Sequence, residues 1–284
     1  MERLVARRAP IEGLAERLGS AVAVGRIAAA PLYRLYERRL LEQVRGGPIP
    51  RHVGLILDGN RRYGRQHNLT DPRDIYGVGA EKLDDLLGWC ADLSIPAITL
   101  WVFSTDNFER PPQEVSGILT AVESKLRRLA EDPHIHRRRI RVRGVGRLEL
   151  LPGPTLAALR TAEAATASYS GIHLSIAAAY GGRQEITDAV QAFLREQQTK
   201  GRSLGETIPE ITPQTLGRYL YAPDLPDPEL IIRTSGEIRL SGFLLWQSAY
   251  SEFYFTDVFW PAMRKIDFLR AVRAFQQRRR RFGR

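Results

Sequence analysis

Three short polar stretches of the sequence combine acids, hydroxyls and arginines in a way that suits phosphate. The first is DGNRRY at positions 58–63, directly after an apolar run. Its glycine lets backbone N–H groups approach a ligand, and two arginines at a helix start add charged donors. A carboxylate beside so many phosphate donors makes sense if a divalent cation joins them, as magnesium does. A simple turn in which Asp58 caps the helix is the alternative.

Two further stretches have similar chemistry. The residues FSTDNFERPP at 103–112 bring four polar side chains and Arg110 to one loop, although a polar helix start explains part of the pattern. In RTSGEIRLS at 233–241, Arg233 and Arg239 flank a hydroxyl-rich loop that suits a diphosphate. The apolar FLLW at 243–246 predicts a substrate with a hydrophobic body. Glu252 fits either a second metal carboxylate or a buried acid, and spacing alone leaves both open.

Short apolar runs that alternate with helical stretches must position these residues. The sequence predicts strands over 53–57, 96–103, 140–145, 172–177, 230–233 and 253–255, and helices over 80–93, 114–129, 154–168, 183–197 and 267–281. This alternation predicts a single α/β domain with a central, mostly parallel sheet flanked by helices. Ligands of such sheets bind beyond the carboxyl ends of the strands, where two of the polar stretches begin.

The first 47 residues differ from the remainder of the chain. Leucines recur there at helical spacing among charges, Pro31 divides the pattern into two helices, and GGPIP at 46–50 marks a boundary. We therefore predict a helical extension over 1–47 and a catalytic domain over 48–284. The extension either packs on the domain, which we favour, or rests as a basic helix on a membrane surface.

Composition narrows the class of protein. Of 284 residues, 43% are hydrophobic, which excludes disorder as the main state, and the single cysteine, Cys90, excludes an intrachain disulfide. With no apolar run of about 20 residues and no signal-peptide pattern, we expect a cytoplasmic protein. A net charge of +10, carried by 38 Arg and 4 Lys, fits a nucleic acid, an anionic membrane or a phosphorylated substrate. Nucleic acid is the weakest of these candidates, and we expect no nucleic-acid partner, because the sequence has no recognition-helix signature or aromatic platform.

Five segments in order resemble the cis-prenyltransferases, the undecaprenyl diphosphate synthase-like isoprenyl transferases. They are HVGLILDGNRR at 52–62, FSTDNFER at 103–110, YGGR at 180–183, RTSGEIRLSGFLLWQ at 233–247, and 250–252 through 260–261. The resemblance implies that family's fold with an apolar tunnel, and a homodimer. It also implies magnesium-dependent condensation of isopentenyl diphosphate with an allylic diphosphate (geranyl, dimethylallyl or farnesyl) to a cis prenyl diphosphate.

The product expected from the resemblance is short. The segment PLYRLY at 31–36 is similar to short-chain actinobacterial members, which make (2Z,6E)-farnesyl diphosphate. A longer, decaprenyl- or undecaprenyl-type product and irregular coupling of two allylic diphosphates are the enzymatic alternatives. A basic nucleic-acid-binding protein and a non-catalytic accessory subunit are the others, and the retained Asp58, Arg62 and Glu252 argue against the accessory subunit.

The resemblance also implies roles for individual residues. Asp58 would be the catalytic carboxylate and would hold magnesium together with Glu252, and Asn107 would relay the departing proton. The allylic diphosphate site would comprise Gly59, Asn60, Arg61, Arg62, Tyr63, Ser104, Thr105, Asp106, Phe108 and Arg110. Isopentenyl diphosphate would bind Arg233, Arg239, Leu240 and Ser241. The end Arg281-Phe282-Gly283 resembles the family's Arg-x-Gly tail, which reaches the partner's site in dimers.

Three departures from the family pattern matter. Where the family has an arginine followed four residues later by histidine, this chain has Arg73, one position off, and Tyr76; both are counted with the substrate-binding residues. Asp106 is shorter than the usual Glu. Val102 replaces the alanine of long-chain members, and a larger side chain near the tunnel opening predicts a shorter product.

Overall fold

The computed structural model describes residues 33–278. The predicted first helix of the extension and the Arg-x-Gly tail lie outside this range. Within it, six strands form one sheet: β1 (His52–Ile56), β2 (Ala97–Ser104), β3 (Arg141–Val145), β4 (His173–Tyr180), β5 (Leu230–Arg233) and β6 (Glu252–Phe255). All five pairings are parallel, in the order β3-β4-β2-β1-β5-β6. The predicted single α/β domain with a parallel sheet is confirmed.

Helices cover the sheet and connect its strands. They are α1 (33–45), α2 (Asn60–Gln66), α3 (Pro72–Asp92), α4 (Pro112–Glu131), α5 (Pro133–Arg137), α6 (Gly153–Thr166), α7 (Gly182–Thr199), α8 (Leu204–Thr207), α9 (Pro213–Gly217) and α10 (Lys265–Gln277). A short 3-10 helix, Thr105–Glu109, follows β2. None of the helices between residues 33 and 278 combines the length and apolarity needed to cross a membrane.

The apolar side chains on the two faces of the sheet belong to different clusters. On one face, Leu55 and Leu100 belong to a large core with buried residues of α1, α3, α4, α6 and α10. On the other, Ile56 and Ala177 form a smaller cluster with Phe243 and Leu244. Because both faces are covered, the strands are apolar on both sides, which explains their continuous apolar runs.

The ends of two helices differ from the prediction. Helix α3 begins at Pro72 rather than at residue 80, because the Asp71 side chain accepts a hydrogen bond from the Arg73 N–H (2.8 Å) and caps the helix. Helix α10 begins at Lys265, two residues before the prediction, and ends at Gln277, because Arg278 is already extended; the predicted residues 279–281 lie outside the described range. In the described part of the extension, Leu40 and Val44 of α1 are buried in the larger core.

Candidate active site

A cleft with a volume of about 760 Å³ opens at the carboxyl edge of the sheet. Its walls come from the ends of β1, β2 and β5, from α2, and from the facing sides of α3 and α4. This is where a parallel α/β sheet holds its ligands. The polar stretches that begin at Asp58 and Arg233, and the one that follows Phe103, all reach it.

An ion pair joins the first and third polar stretches at the centre of the opening. The Arg233 Nη2 donates to Asp58 Oδ2 at 3.0 Å, and the Gly59 N–H donates to Asp58 Oδ1 at 2.8 Å. Arg233 also donates from Nη1 to the Arg239 carbonyl (2.6 Å) and the Ser241 hydroxyl (2.7 Å), yet its side chain is only 5% exposed. Its Nε–H is buried and has no partner among the described residues.

The loop that follows Arg233 is conformationally strained. Ser235 (φ 76°), Ser241 (φ 51°) and Leu244 (φ 47°) adopt left-handed backbone conformations although none is glycine. Such strain persists only where surrounding contacts hold it, and it is common at ligand sites. Here the Ser235 N–H donates to the Val258 carbonyl (2.9 Å), and the Leu244 N–H donates to the Tyr180 hydroxyl (3.2 Å).

The Tyr180 side chain contacts the loop that follows Arg233 and does not line the cleft. Its hydroxyl donates to the buried Glu185 (2.5 Å), whose carboxylate also accepts from Gln247 Nε2 (3.0 Å). The Gly182 N–H donates to the Gly242 carbonyl (2.8 Å). The YGGR segment at 180–183 therefore holds the strained loop against β4 and α7.

Two glycines let backbone segments meet below the opening. Gly59 has φ 103°, and a Cβ there would lie 2.9 Å from the Phe259 side chain. At Gly79 of α3, a Cβ would lie 2.3 Å from Asn60 Oδ1. Asn60 Nδ2 donates to the Leu57 carbonyl (3.0 Å), while its Oδ1 is buried and has no partner among the described residues. These contacts fix the turn that carries Asp58 and the arginines after it.

Glu237 lies between two of the predicted phosphate-binding arginines. Its carboxylate contacts Arg62 Nη2 at 3.2 Å and Arg239 Nη1 at 2.6 Å. Arg62 also donates to the Ser235 hydroxyl (2.6 Å), and its guanidinium lies over the Phe259 ring (5.6 Å to the centroid). Glu237 lines the cleft, so it belongs to the site, although the sequence analysis did not assign it a role.

A second acid, Glu114, contacts three other residues that line the cleft. It accepts hydrogen bonds from the Tyr76 hydroxyl (2.7 Å) and Arg110 Nη1 (2.8 Å), and lies 3.5 Å from Arg61 Nη1. Burial opposes ionisation of Glu114, but these donors and the two guanidinium charges outweigh it and lower its pKa. Burial, together with the bond to Glu114, raises the pKa of Tyr76 well above its usual value, so the phenol keeps its proton.

The loop after β2 brings small polar groups to the same opening. Asn107 accepts a hydrogen bond from the Ser104 N–H at Oδ1 (3.0 Å), which fixes the orientation of its amide. Ser104, Asp106 and Asn107 line the cleft. Phe108 instead packs edge-on against the buried Phe103 (4.7 Å between centroids).

Behind the polar opening, the cleft is apolar. Val102 of β2 and Ile118, Ala121 and Val122 of α4 line this inner part. The segment FLLW at 243–246, from which the sequence predicts a substrate with a hydrophobic body, does not line this part of the cleft. Phe243 (1% exposed) and Leu244 (6%) are buried in the smaller core.

Most of the predicted site residues meet at this cleft. Those that line it are Asp58, Gly59, Asn60, Arg61, Arg62, Tyr76, Ser104, Asp106, Asn107, Arg110, Arg233, Arg239 and Ser241. Tyr63, Thr105, Phe108 and Leu240 lie on the same loops and helices but outside its lining. Arg73 does not reach it: this residue is exposed in the first turn of α3.

The structure separates Glu252 from Asp58 within one chain. Glu252 is paired through Leu230 with Val53, at the amino end of the sheet, whereas Asp58 lies beyond the carboxyl end of β1. At about 3.3 Å per residue, the part of β1 from Val53 to Ile56 alone accounts for roughly 10 Å of their separation. Glu252 instead binds Arg278 Nη1 at 2.5 Å. The predicted pair of metal carboxylates is therefore not assembled within a single chain.

Fold and cleft together define an α/β protein that can bind phosphate groups at the opening of an apolar cavity. The model of the family described as putative undecaprenyl diphosphate synthase matches residues 56–283. An isoprenyl transferase of Thermus thermophilus is 53% identical over 254 residues (89% of this chain, 96% of the relative). The (2Z,6E)-farnesyl diphosphate synthase of Thermobifida fusca is 49% identical over 253 residues (89% and 97%).

A solved structure supports the same assignment. Lavandulyl diphosphate synthase from Lavandula x intermedia, in complex with dimethylallyl diphosphate, superposes with a TM-score of 0.75 at 28% identity, covering 83% of this chain and 99% of that one. The chain belongs to the undecaprenyl diphosphate synthase family, the cis-prenyltransferases, and is a prenyl transferase.

Proposed function

We propose that this protein condenses isopentenyl diphosphate with an allylic diphosphate (dimethylallyl, geranyl or farnesyl) to form a cis prenyl diphosphate, with magnesium as cofactor. The observation that carries the proposal is the cleft itself. Arginines and Asp58 surround its opening, whereas α4 lines its inner part with apolar side chains. A diphosphate head with a hydrocarbon tail matches both parts.

The two diphosphates have separate sets of donors. Arg61, Arg62 and Arg110 lie on the α2 side and suit the allylic diphosphate, whose tail can extend along Val102 into the apolar part. Arg233 lies across the Asp58 ion pair, and with the Ser241 hydroxyl it suits isopentenyl diphosphate. The preorganised guanidinium groups stabilise the charge that develops on the leaving diphosphate.

Asp58 fits the role of magnesium ligand. Its carboxylate is 33% exposed at the opening, and magnesium in proteins is often held by one or two carboxylates plus substrate phosphate oxygens. No cluster of three or more acidic, His or Cys side chains suited to a metal occurs between residues 33 and 278, which agrees with a metal held jointly with substrate. When bound, magnesium neutralises charge on the leaving diphosphate.

In the proposed reaction the allylic C–O bond breaks and its electron pair leaves with the diphosphate. The double bond of isopentenyl diphosphate supplies the pair for the new C–C bond, and loss of a proton forms the cis double bond. Asn107 has no basic atom to accept that proton, and its Oδ1 is engaged by Ser104. We assign the acceptor to a phosphate oxygen or water that Asn107 orients.

We further propose a short product such as (2Z,6E)-farnesyl diphosphate, and a homodimer. The position of Val102 in the cleft lining and the similarity to the Thermobifida fusca enzyme support the first. The resemblance of Arg281-Phe282-Gly283 to the family's tail supports the second. A peripheral contact of the 1–47 extension with a membrane stays a prediction, which co-sedimentation with anionic vesicles would test.

Product analysis tests the activity directly. Purified protein is incubated with radiolabelled isopentenyl diphosphate and each of the three starters, with magnesium or with a chelator, and the products are dephosphorylated and sized by chromatography. We expect a short cis product in the presence of magnesium only. No product from any starter would refute the transferase proposal, and undiminished product in chelator would refute the metal requirement.

A further inference from the structure

Three residues that line one wall of the cleft converge on an acid that does not line it. Arg61 of α2, Tyr76 of α3 and Arg110 before α4 face the cleft. Each contacts the carboxylate of Glu114, which lies in the first turn of α4 behind them and is only 13% exposed. Glu114 is the point at which three separate chain segments meet.

The contacts leave the wall able to bind an anion. Each guanidinium has five N–H donors and engages Glu114 through Nη1 (2.8 Å for Arg110, 3.5 Å for Arg61). Two guanidinium groups and one carboxylate carry a net charge of +1. Tyr76 adds no negative charge, because its phenol stays protonated and donates to Glu114.

Without a shared acceptor, the guanidinium groups of Arg61 and Arg110 would not stay close to each other. Their like charges repel, and arginine side chains carry about 2 kcal/mol of rotamer entropy. Arg61 is 56% exposed, and Glu114 is the one acid in contact with it among residues 33–278. A half-buried carboxylate that both groups contact offsets the repulsion and restricts their rotamers before a ligand arrives.

We propose that Glu114 is a positioning residue for the allylic diphosphate: it presets Arg61, Arg110 and Tyr76 as one anion-binding wall. This inference rests on the proposed function, since it names the side of the cleft that Glu114 serves. Glu114 has no contact with Asp58, Arg233 or the loop after it, so the site assigned to isopentenyl diphosphate is independent of it.

Steady-state kinetics distinguish positioning from a merely structural role. For Glu114→Ala we expect the KM for the allylic diphosphate to rise at least about tenfold, the scale expected for a lost charge-assisted hydrogen bond. The KM for isopentenyl diphosphate should change less than about twofold. Glu114→Gln, which keeps an acceptor oxygen but loses the charge, should be intermediate, and it serves as the test if the alanine variant does not fold.

Asp84→Asn is the matched control. Asp84 of α3 pairs with Lys125 of α4 (2.6 Å), so it joins the same two helices away from the cleft opening. If Glu114 only ties these helices together, Asp84→Asn should reproduce the kinetic effect at a similar loss of thermal stability. We expect lower stability with both KM values unchanged.

Calorimetric titration with inorganic pyrophosphate separates this inference from the proposed function. We expect weaker binding to Glu114→Ala and Glu114→Gln than to the wild-type protein and Asp84→Asn. Wild-type protein that makes no prenyl product would refute the transferase proposal, while the titration would still report on Glu114. Equal pyrophosphate affinity in all four proteins, or an equal rise of both KM values in the Glu114 variants, would overturn the positioning role.

Discussion

Asp58 and Arg233 come from the ends of neighbouring strands, and their 3.0 Å ion pair is one of several arginine–carboxylate contacts in the cleft. Glu237 contacts Arg62 and Arg239 in the same way. A singly charged carboxylate is a weaker partner for a guanidinium than a diphosphate is. We therefore expect the acids to hold the arginines in place and to release them to substrate, and the activity to depend on the acids as well as on the arginines.

Replacing Asp58 tests this dependence. We expect Asp58→Asn to lower turnover at least about 100-fold, because the variant loses the proposed metal ligand while keeping an acceptor oxygen for Arg233. Asn is preferable to Ala, since Ala would leave a buried guanidinium without its acid, which costs about 3–5 kcal/mol. Initial rates with radiolabelled isopentenyl diphosphate measure turnover, and circular dichroism checks the fold.

Asp224→Asn is the control for that experiment. Asp224 binds Arg143 in a two-pronged contact (2.5 and 2.8 Å) on the β3 side of the sheet, away from the cleft. Its replacement removes a comparable ion pair and should leave turnover within about twofold. Asp58→Asn with near wild-type turnover at saturating magnesium would remove Asp58 from the chemistry.

At the scale of secondary-structure elements, β2 and α4 set the depth of the apolar part of the cleft. Val102 on β2 and Ala121 on α4 both line it. Each added isoprene unit needs further apolar volume, so we expect the side chains of these elements to limit the length of the product. A smaller side chain at Val102 and a larger one at Ala121 should therefore change the product length in opposite directions.

We expect Val102→Ala to lengthen the main product by at least one isoprene unit and Ala121→Leu to shorten it or block elongation. Chromatographic sizing of dephosphorylated products measures both. Val115→Ala is a suitable control, because Val115 packs on the core from the same helix but does not line the cleft. Unchanged chain length in both cleft variants would contradict the idea that these elements limit the product.

Helix α7 provides a prediction about acid stability. Asp188 accepts hydrogen bonds from Arg147, Tyr221 and Gln184 (2.5–3.0 Å), and these contacts, that of Arg147 foremost, lower its pKa from 3.8 to about 2. A carboxyl group with a lower pKa in the folded state stabilises it above the unfolded-state pKa. That contribution is lost as pH falls from about 4 towards 2.

We therefore expect Asp188→Asn to be less stable than wild type at pH 7, with a difference that shrinks steadily below about pH 4. Urea unfolding at pH 7, 5, 4 and 3 measures the free energy of unfolding of both proteins. A difference that stays constant down to pH 3 would show that the ionised form of Asp188 does not stabilise the folded state. Asp224→Asn is the comparison, because Asp224 is also paired with an arginine. Its pH dependence shows whether the loss of stability is specific to Asp188.

The elements themselves were largely predictable, because parallel strands covered on both faces give apolar runs that sequence shows directly. The site was predictable where motif residues lie at the carboxyl end of a strand, as Asp58 and Ser104 do. The site was not predictable where the position of a residue depends on the order and register of the strands. Sequence places Glu252 at the start of a strand, but only its register with Leu230 shows that this end lies away from Asp58. Glu114 was missed because an acid in a first helical turn is ordinary.

At the scale of the whole molecule, the amino edge of the sheet is the region that bears on the proposed homodimer. β6 is an edge strand of the sheet between residues 33 and 278, and Tyr250 just before it is 81% exposed. Arg278, the last described residue, binds Glu252 at the start of β6. The last described residue therefore lies at the edge of the sheet opposite the cleft. The resemblance to the family's tail predicts that the residues after it complete the partner's site.

Mixing two inactive variants tests whether the tail serves a partner. We expect light scattering to give about twice 32.1 kDa, and a chain shortened after Arg278 to lose most activity, since it lacks Arg281 and Gly283. Asp58→Asn keeps its tail but lacks a working cleft. If the tail completes the partner's site, a mixture of the two that exchanges subunits should regain up to about a quarter of wild-type activity, because half of the dimers are mixed and each has one complete site. A mixture as inactive as its components, with exchange verified by mass spectrometry of mixed dimers, would show that the tail acts within its own chain.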